Sequence, residues 1–475
     1  MERFSRIGRL LPSSSQDIAD SRLGVGLEKL DRDLYDPAPT YDVLAALGLK
    51  WVRLQSGWAR TEKQAGAYDF SWLDEIVDAL LARGMRPWLN LVYGNPVYTP
   101  AAAAVFGAVG VPPIATQAER DAWDRYVQAT VRHFSGRVRD YEIWNEPDGD
   151  WCWKHGANAR EYGEFALRTA RAIHAADPQA RAIGGAVAGV DLAYIRTALE
   201  TGMAGEIDAF SFHRYGWDEA SRAMPEMLAL RALLDEYSPQ IALIQGESGA
   251  QSSSLGAGAL RGGAWDEEKQ MKHLLRNRIT DLAAPVEFTS HFSALDMAEA
   301  LNGAAGDVAS YKDYGYFGVL SAQFDDNGRC TGEYKPKKAY YALQNLCALL
   351  GSPEVKPCTL PLLRKARPSA RIFGEDCRLP VSMYGFRRAG HAALCYWRPA
   401  NLMTETYQGT VSFDCAGCFK GRPVLLNPAD GGVYALPDSV CQEGAHGCER
   451  LVNLPLTDCP LVLMDAEFVP FAPRQ

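Results

Sequence analysis

Eight short apolar runs punctuate the first two-thirds of this sequence, and stretches of helical periodicity separate most of them. The runs are 23–27 (LGVGL), 50–55 (KWVRLQ), 86–92 (RPWLNLV), 138–144 (VRDYEIW), 181–188 (RAIGGAVA), 206–212 (EIDAFSF), 240–246 (QIALIQG) and 285–292 (PVEFTSHF). Helical patterns cover 71–83, 118–134, 159–176, 191–201, 222–237, 267–283 and 337–350. In the clearest, Leu73, Ile76, Val77, Leu80 and Leu81 form one stripe, Ser71 and Asp74 read as a capping-box-like start, and Gly84 ends it. Strands alternating with helices require a parallel sheet, and eight such units over roughly 330 residues predict a closed (β/α)8 TIM barrel. An open doubly wound sheet is the alternative, but no G-x-G-x-x-G or Walker loop follows any run.

Beyond about residue 352 the pattern changes. Short runs at 381–386, 391–397, 408–413, 423–427, 451–455 and 460–464 are separated by Gly, Asp, Asn and Pro, which predicts an antiparallel β-sandwich. Gly351-Ser352-Pro353 marks the boundary, giving a barrel over 23–351 and a sandwich over 352–475. Residues 1–22, with the Ser13-Ser14-Ser15 tract, are either a flexible lead-in or one strand added to that sandwich.

Charge narrows the choice of partner. Forty-nine Lys and Arg against 58 Asp and Glu give a net charge of −9, which argues against nucleic acid and anionic membranes and suits a neutral ligand. Met1 to Gln16 lacks the apolar core of a secretory leader. The longest uncharged stretch, Pro87 to Gln117, is interrupted by Pro96, Pro100, Pro112 and Pro113 and reads as a strand plus a long loop with a short helix in its Ala-rich middle. An odd count of 11 Cys without a leader favours reduced thiols and a cytoplasmic location. A metal site at Cys415 and Cys418 would need Cys441 and Cys448 at an atypical spacing, so these cysteines are read as small core residues, and neither metal nor cofactor is expected.

In such a barrel the chemistry sits where the strands end. Strand four runs into Trp144-Asn145-Glu146-Pro147 and strand seven into Gly246-Glu247-Ser248-Gly249, so two carboxylates emerge on one rim. Cleavage of a glycosidic bond needs such a pair, one to protonate the leaving oxygen and one to attack the anomeric carbon or activate water. Pro147 disfavours the helical region for Glu146 and predicts an extended turn there. The glycines flanking Glu247 allow a tight backbone. On strand two, Arg53 and Gln55 share the face opposite Val52 and Leu54, as a polar pair aimed into the barrel mouth would.

This pair, with Asn-Glu-Pro after strand four and Glu after strand seven, resembles the clan A retaining glycoside hydrolases. The stretch Trp51 to Trp88, with Trp58, Glu62, Gly66, Tyr68-Asp69-Phe70 and Trp72-Leu73-Asp74, is similar to glycoside hydrolase family 39. The resemblance implies Glu146 as acid/base, Glu247 as nucleophile, Asn145 on the sugar 2-hydroxyl, and Arg53, His213 and Tyr215 around the nucleophile. Arg53 and Tyr215 would keep Glu247 ionised, and its charge would raise the pKa of Glu146. The plainer alternatives are an internal salt bridge for Arg53 and a satisfied core histidine for His213.

Trp58, Trp151, Trp153 and Trp217 follow strands two, four and six, and two of these four are expected to serve as sugar-stacking faces. Many clan members place a Trp after strand eight, whereas this chain offers His291 and Phe292. The implied activity is retaining hydrolysis of a neutral oligo- or polysaccharide, of the β-xylosidase, β-glucosidase, β-galactosidase or exopolysaccharide hydrolase kind. Two alternatives stand beside it: a non-catalytic carbohydrate-binding barrel, and a metal-dependent barrel hydrolase. Against the latter, only eight His are present, no His-x-His follows the first strand, and His213 with His291 is a thin ligand set.

Overall fold

A computed structural model describes residues 4–217, 219–299, 302–365, 380–444 and 449–474. Eight parallel strands, Leu23–Gly26, Trp51–Gln55, Arg86–Leu91, Asp140–Ile143, Arg181–Val187, Ala209–His213, Ala242–Ser248 and Thr289–His291, close into a barrel. They are numbered here as barrel strands one to eight. Closure comes from strand one pairing with strand eight, Leu23 opposite Thr289 and Val25 opposite His291. Helices Ser71–Ala82, Gln117–Phe134, Ala159–Ala176, Leu192–Leu199, Glu219–Asp235, Glu267–Ala283 and Lys338–Leu350 lie along the chain between and after the strands.

The floor of the barrel is aromatic. Trp51 stacks on Phe288 at 4.4 Å, and Trp88 leans on the same ring at 4.9 Å. Ile183, Ala209 and Ile244 complete this buried cluster. Because side chains on one face of a strand recur every second residue, Arg53 and Gln55 rise above Trp51, and Asn90 above Trp88. The apolar plug thus lifts a polar layer to the mouth and seals it from below.

The sandwich has two antiparallel sheets. The larger runs, in spatial order, Lys356–Cys358, Ser382–Arg388, His391–Trp397, Leu461–Met464, Val424–Asn427, Gly432–Ala435, Ser5–Leu10 and Phe471–Pro473. The smaller orders Leu362–Lys365, Gln408–Cys415, Glu449–Thr457 and Cys441–Glu443. Ser5–Leu10 therefore lies between two strands encoded more than 400 residues later.

Helix Glu267–Ala283 is wedged between barrel and sandwich, which explains why it is buried on every side although rich in polar residues. Its cations meet backbone and carboxylate acceptors. Arg276 Nε donates to Asp458 O and Nη1 to Ala400 O, both at 2.8 Å, and Lys272 pairs with Asp458 at 2.8 Å. Satisfying these donors of Arg276 and Lys272 removes most of the cost of burying them.

Several local expectations need correction. Ser71 and Asp74 form no capping box. Ser71 donates through N and Oγ to Asp69, while Asp74 pairs at 2.7 Å with Arg137, in the turn that follows the next helix. The helix expected to start at 222 starts at 219 and carries Pro225 inside it. By contrast, the short helix expected in the Ala-rich loop is present, as a 3-10 turn at Pro100–Ala104. Cys415 and Cys418 are buried beside each other, with Cys418 Sγ against Pro361 O at 3.0 Å, and Cys441 is half-buried. Cys448 lies outside the described residues. No described helix is long and apolar enough to cross a membrane.

Candidate active site

One guanidinium organises the mouth of the barrel. Arg53, fully buried on strand two, donates through Nε to Glu142 at 2.6 Å, through Nη1 to Glu28 at 3.1 Å and Glu247 at 2.6 Å, and through Nη2 to Asn145 at 2.8 Å. The planar fork of arginine suits this work, since it serves several acceptors from fixed directions. The second oxygen of Glu247 accepts from Tyr215 Oη at 2.6 Å.

Glu146 is held separately. His213 Nδ1 lies 3.0 Å from its Oε1, and Trp151 Nε1 donates to its Oε2. The same His213 nitrogen is 3.7 Å from Glu247, so the imidazole stands between the two carboxylates. One donor-capable atom from each of Glu146, His213 and Glu247 falls within 4.8 Å of the others.

The turn that presents Glu146 departs from the proline argument. Instead of an extended backbone, Trp144 (φ 65°) and Glu146 (φ 46°) both adopt the left-handed region, an arrangement ordinary residues adopt only when surroundings over-determine it. Those surroundings are visible: Glu146 N donates to Ala186 O at 2.8 Å, and Trp144 Nε1 donates to Cys152 O at 2.7 Å. Around Glu247 the glycines answer to close approach. A side chain at Gly246 would strike Ser211, and one at Gly249 would strike the carbonyl of Phe292.

Four carboxylates, Glu28, Glu142, Glu146 and Glu247, crowd one permanent cation, so protons must make up the balance. Burial pushes the Glu28 carboxyl up to about 7 against the pull of Arg53, and the charge of Glu247 adds to the rise. Burial works against a charged His213, but the carboxylates of Glu247 and Glu146 outweigh it and raise its pKa. Burial alone would raise Glu146, yet the His213 contact, the Trp151 N–H and Arg53 carry it below its ordinary value. The expected elevation of Glu146 is therefore reversed in the free site. The His213 nitrogen 3.0 Å away, with the Trp151 N–H and Arg53, outweighs burial and lowers the Glu146 pKa.

The Glu28 shift gives a stability prediction. Between its ordinary value of 4.5 and about 7, the folded site keeps a proton that the unfolded chain releases. Stability from that proton is full below the unfolded value and is lost as pH rises through the folded one. Glu28→Gln, permanently neutral, should raise the thermal midpoint over wild type by a few degrees at pH 8 and not at pH 5. A difference that stays constant between the two pH values in calorimetry would contradict the assignment.

Other expected residues are placed unevenly. Trp151 and Trp217 are exposed on the rim at 41% and 43%. Trp58 and Trp153 do not line the mouth. Trp58 is stacked between Tyr98 and Tyr126 with Nε1 on Glu62, and Trp153 packs edge-on to Trp144 and Phe165 with Nε1 on Glu161. Both rings fill the layer between strands and helices, where a sugar has no access. His291 is also withdrawn. It is buried, and burial lowers its pKa well below normal, reinforced by Arg278 and His273 of the helix behind it. Phe292 packs edge-on against Tyr215 and Phe317, so it backs the site without forming an open floor.

Two partners of Arg53 escaped the sequence reading. Glu28 lies just past strand one and Glu142 inside strand four. The strand-end rule applied to strand one, and the acidic alternation Asp140–Glu142 within an otherwise apolar strand, were the available signals.

The trio Glu146, His213 and Glu247 also tests the metal alternative. Each carboxylate oxygen of the pair already accepts from a protein group: Arg53 and Tyr215 on Glu247, His213 and Trp151 on Glu146. A guanidinium 2.6 Å from one would-be ligand repels a cation, so the donor set does not fit a metal.

A closed (β/α)8 barrel with two glutamates at the ends of strands four and seven, bridged by His213, resembles the clan A type of glycoside hydrolase barrel. Residues 45–237 match the family described as glycosyl hydrolases family 39. Among curated relatives, a β-xylosidase of Geobacillus stearothermophilus is 33% identical over 131 residues, 26% of this chain and 25% of that one. A β-xylosidase of Caldicellulosiruptor saccharolyticus is 28% identical over 204 residues, 38% of this chain and 40% of that one. The matches thus span well under half the length of these relatives. Over the whole fold, a family 39 glycoside hydrolase from Bacteroides cellulosilyticus superposes with a TM-score of 0.65 at 16% identity, covering 94% of this chain and 80% of that one.

Proposed function

We propose that this chain is a retaining β-glycosidase, with Glu247 as nucleophile, Glu146 as acid/base, and a neutral β-linked oligo- or polysaccharide as substrate. In this reading 23–351 is the catalytic barrel and 352–475, with the Ser5–Leu10 strand, the accessory sandwich. The observation that carries it is the juxtaposition of the two carboxylates within 4.8 Å, each with its own donors. A retaining pair needs a separation of roughly 5–5.5 Å, whereas an inverting pair leaves room for water at about 6.5–9.5 Å. β-Xylosides are the first substrates to try, because both curated relatives named above are β-xylosidases.

The electrostatics support a division of labour. Arg53 and Tyr215 hold Glu247 oriented to attack the anomeric carbon. As the C–O bond breaks, the proton shared by His213 and Glu146 passes through Glu146 to the departing oxygen. Esterification then removes the Glu247 charge that raised the pKa of His213. The pair is left without a proton, and Glu146 is free to take one from the incoming water. Asn145, fixed by Arg53, is in place to bind the hydroxyl next to the anomeric carbon.

Proton NMR of the first product from an aryl β-xyloside, β-glucoside or β-galactoside tests this reading. The β-anomer should appear first and mutarotate later, with the rate indifferent to a chelator. Initial release of the α-anomer, or loss of turnover on chelation, would overturn the two-carboxylate retaining mechanism.

A further inference from the structure

The two oxygens of Glu146 are held by donors of unlike freedom. His213, on Oε1, ends strand six with no exposed side-chain surface, and its nitrogen also faces Glu247. Trp151, on Oε2, belongs to the loop after strand four and is 41% exposed. The backbone beneath the indole is fixed. Trp151 O accepts from Lys154 Nζ at 2.7 Å, Cys152 N and Trp153 N donate to Gly149 O at 3.0 and 2.8 Å, and Gly149 N returns to Glu146 O at 3.1 Å. Gly110, from the loop after strand three, packs against the Trp151 carbonyl too closely to admit a side chain. The ring itself lies over Gly149, where a Cβ would stand 2.3–2.6 Å from three of its atoms. Among the described residues it meets no other aromatic ring, unlike Trp153, which packs against Trp144 and Phe165.

That arrangement opposes the work proposed for Glu146. A carboxylate accepts strongly from an N–H, whereas the O–H of a carboxylic acid is itself a donor. The indole therefore favours the anion, and with His213 and Arg53 it offsets the upward pull of burial. An acid must instead carry a proton and bring it within hydrogen-bond reach of the departing oxygen. Oε1 is turned to a histidine with no exposed surface, so the departing oxygen has to meet Glu146 at Oε2, which the indole N–H already occupies.

We propose that Trp151 is a latch on the acid/base: its N–H holds Oε2 of Glu146 while the site is empty and yields that oxygen to the leaving group when substrate enters. The proposal rests on the glycosidase reading. Trp151 is a positioning residue that acts through Glu146, and the indole keeps its own proton throughout, changing only its acceptor. The swing is confined to one exposed side chain, so the barrel need not move. The other groups whose charge or titration bears on Glu146 are Arg53 of strand two, His213 and Tyr215 at the end of strand six, Glu247 of strand seven, and Asp148 and Cys152 of its own loop. All of them are retained in the variants below, so a change of pH profile relative to wild type reads the indole.

The test is a pair of pH profiles. kcat/KM reports the free enzyme and kcat the substrate complex, so a latch engaged only in the first separates the two. Phenyl β-xyloside is the first substrate, because its poor leaving group makes protonation by Glu146 limiting. Removing a donor from the anion raises the pKa of the acid. Trp151→Phe should therefore move the alkaline limb of kcat/KM up by about half a pH unit or more, and that of kcat far less. Gly149→Ala, at a backbone position outside the left-handed region, pushes the indole aside without deleting it and should reproduce the split. Equal displacement of both limbs would keep the indole on Glu146 in the complex and overturn the latch. Limbs unmoved in both variants, whatever the loss of rate, would leave Trp151 a packing role only and overturn it too. A wild-type protein inert toward the phenyl β-glycosides of xylose, glucose and galactose would instead overturn the glycosidase reading itself.

Discussion

Glu247→Ala is expected to lower kcat on aryl β-glycosides by about 10⁴-fold or more, because in the proposed mechanism no other group attacks the anomeric carbon to form the covalent intermediate. Loss of fold is not the anticipated cause. Arg53 keeps Glu142 and Glu28 as carboxylate partners, so the buried cation stays paired when Glu247 is removed. Circular dichroism should therefore match wild type. The vacancy left by the carboxylate faces the anomeric carbon, and azide added to the variant should fill it. Turnover should recover in part and yield an α-glycosyl azide, since attack then comes from the nucleophile's side without a second displacement. Recovery with a β-azide product would exchange the roles of the two glutamates, and near-normal activity without azide would remove Glu247 from the mechanism.

Glu146→Gln should divide substrates by their leaving groups. An oligosaccharide needs its departing oxygen protonated, and loss of the acid should cost about 10²–10⁴-fold in kcat/KM. A dinitrophenyl glycoside departs as a stable anion and should lose far less in that parameter. The second step still needs a base, so the glycosyl-enzyme should accumulate and the aryl substrate should show a burst of one equivalent. His213 sharpens the prediction. The glutamine carbonyl can still accept from the imidazole, so the variant removes proton transfer and keeps that contact, while its NH2 replaces the oxygen that accepted from Trp151 Nε1. Uniform loss across good and poor leaving groups would deny Glu146 its role as proton donor.

The barrel was readable because its signal is local. Each of the eight strands is an apolar run bounded by turn residues, and several of the helices, Ser71–Ala82 and Ala159–Ala176 among them, carry an apolar stripe of their own. That both glutamates stand on one rim follows from that topology and from their place just past a strand. The directions of Trp58 and Trp153 are a different kind of fact. A position after a strand does not say whether a ring turns toward the mouth or back among the helices, and here Tyr98, Tyr126, Tyr162 and Phe165 draw both rings inward. The sign of the Glu146 shift was equally out of reach. It depends on a His213 nitrogen 3.0 Å away in space and 67 positions away along the chain, and opposing effects do not reveal which wins until that distance is known.

The strand Ser5–Leu10 makes the sandwich a joint product of distant parts of the chain. It pairs with Gly432–Ala435 on one side and Phe471–Pro473 on the other. During synthesis at about 5–20 residues per second, this segment waits tens of seconds for either neighbour to be made. Throughout that time it presents unpaired edges while the barrel assembles behind it. Its composition suits the delay: SRIGRL carries two arginines in six residues, and charge on a waiting edge discourages pairing with another copy. Cutting the chain after residue 351 to obtain the barrel alone would make that wait permanent, so an isolated barrel should also begin after Leu10.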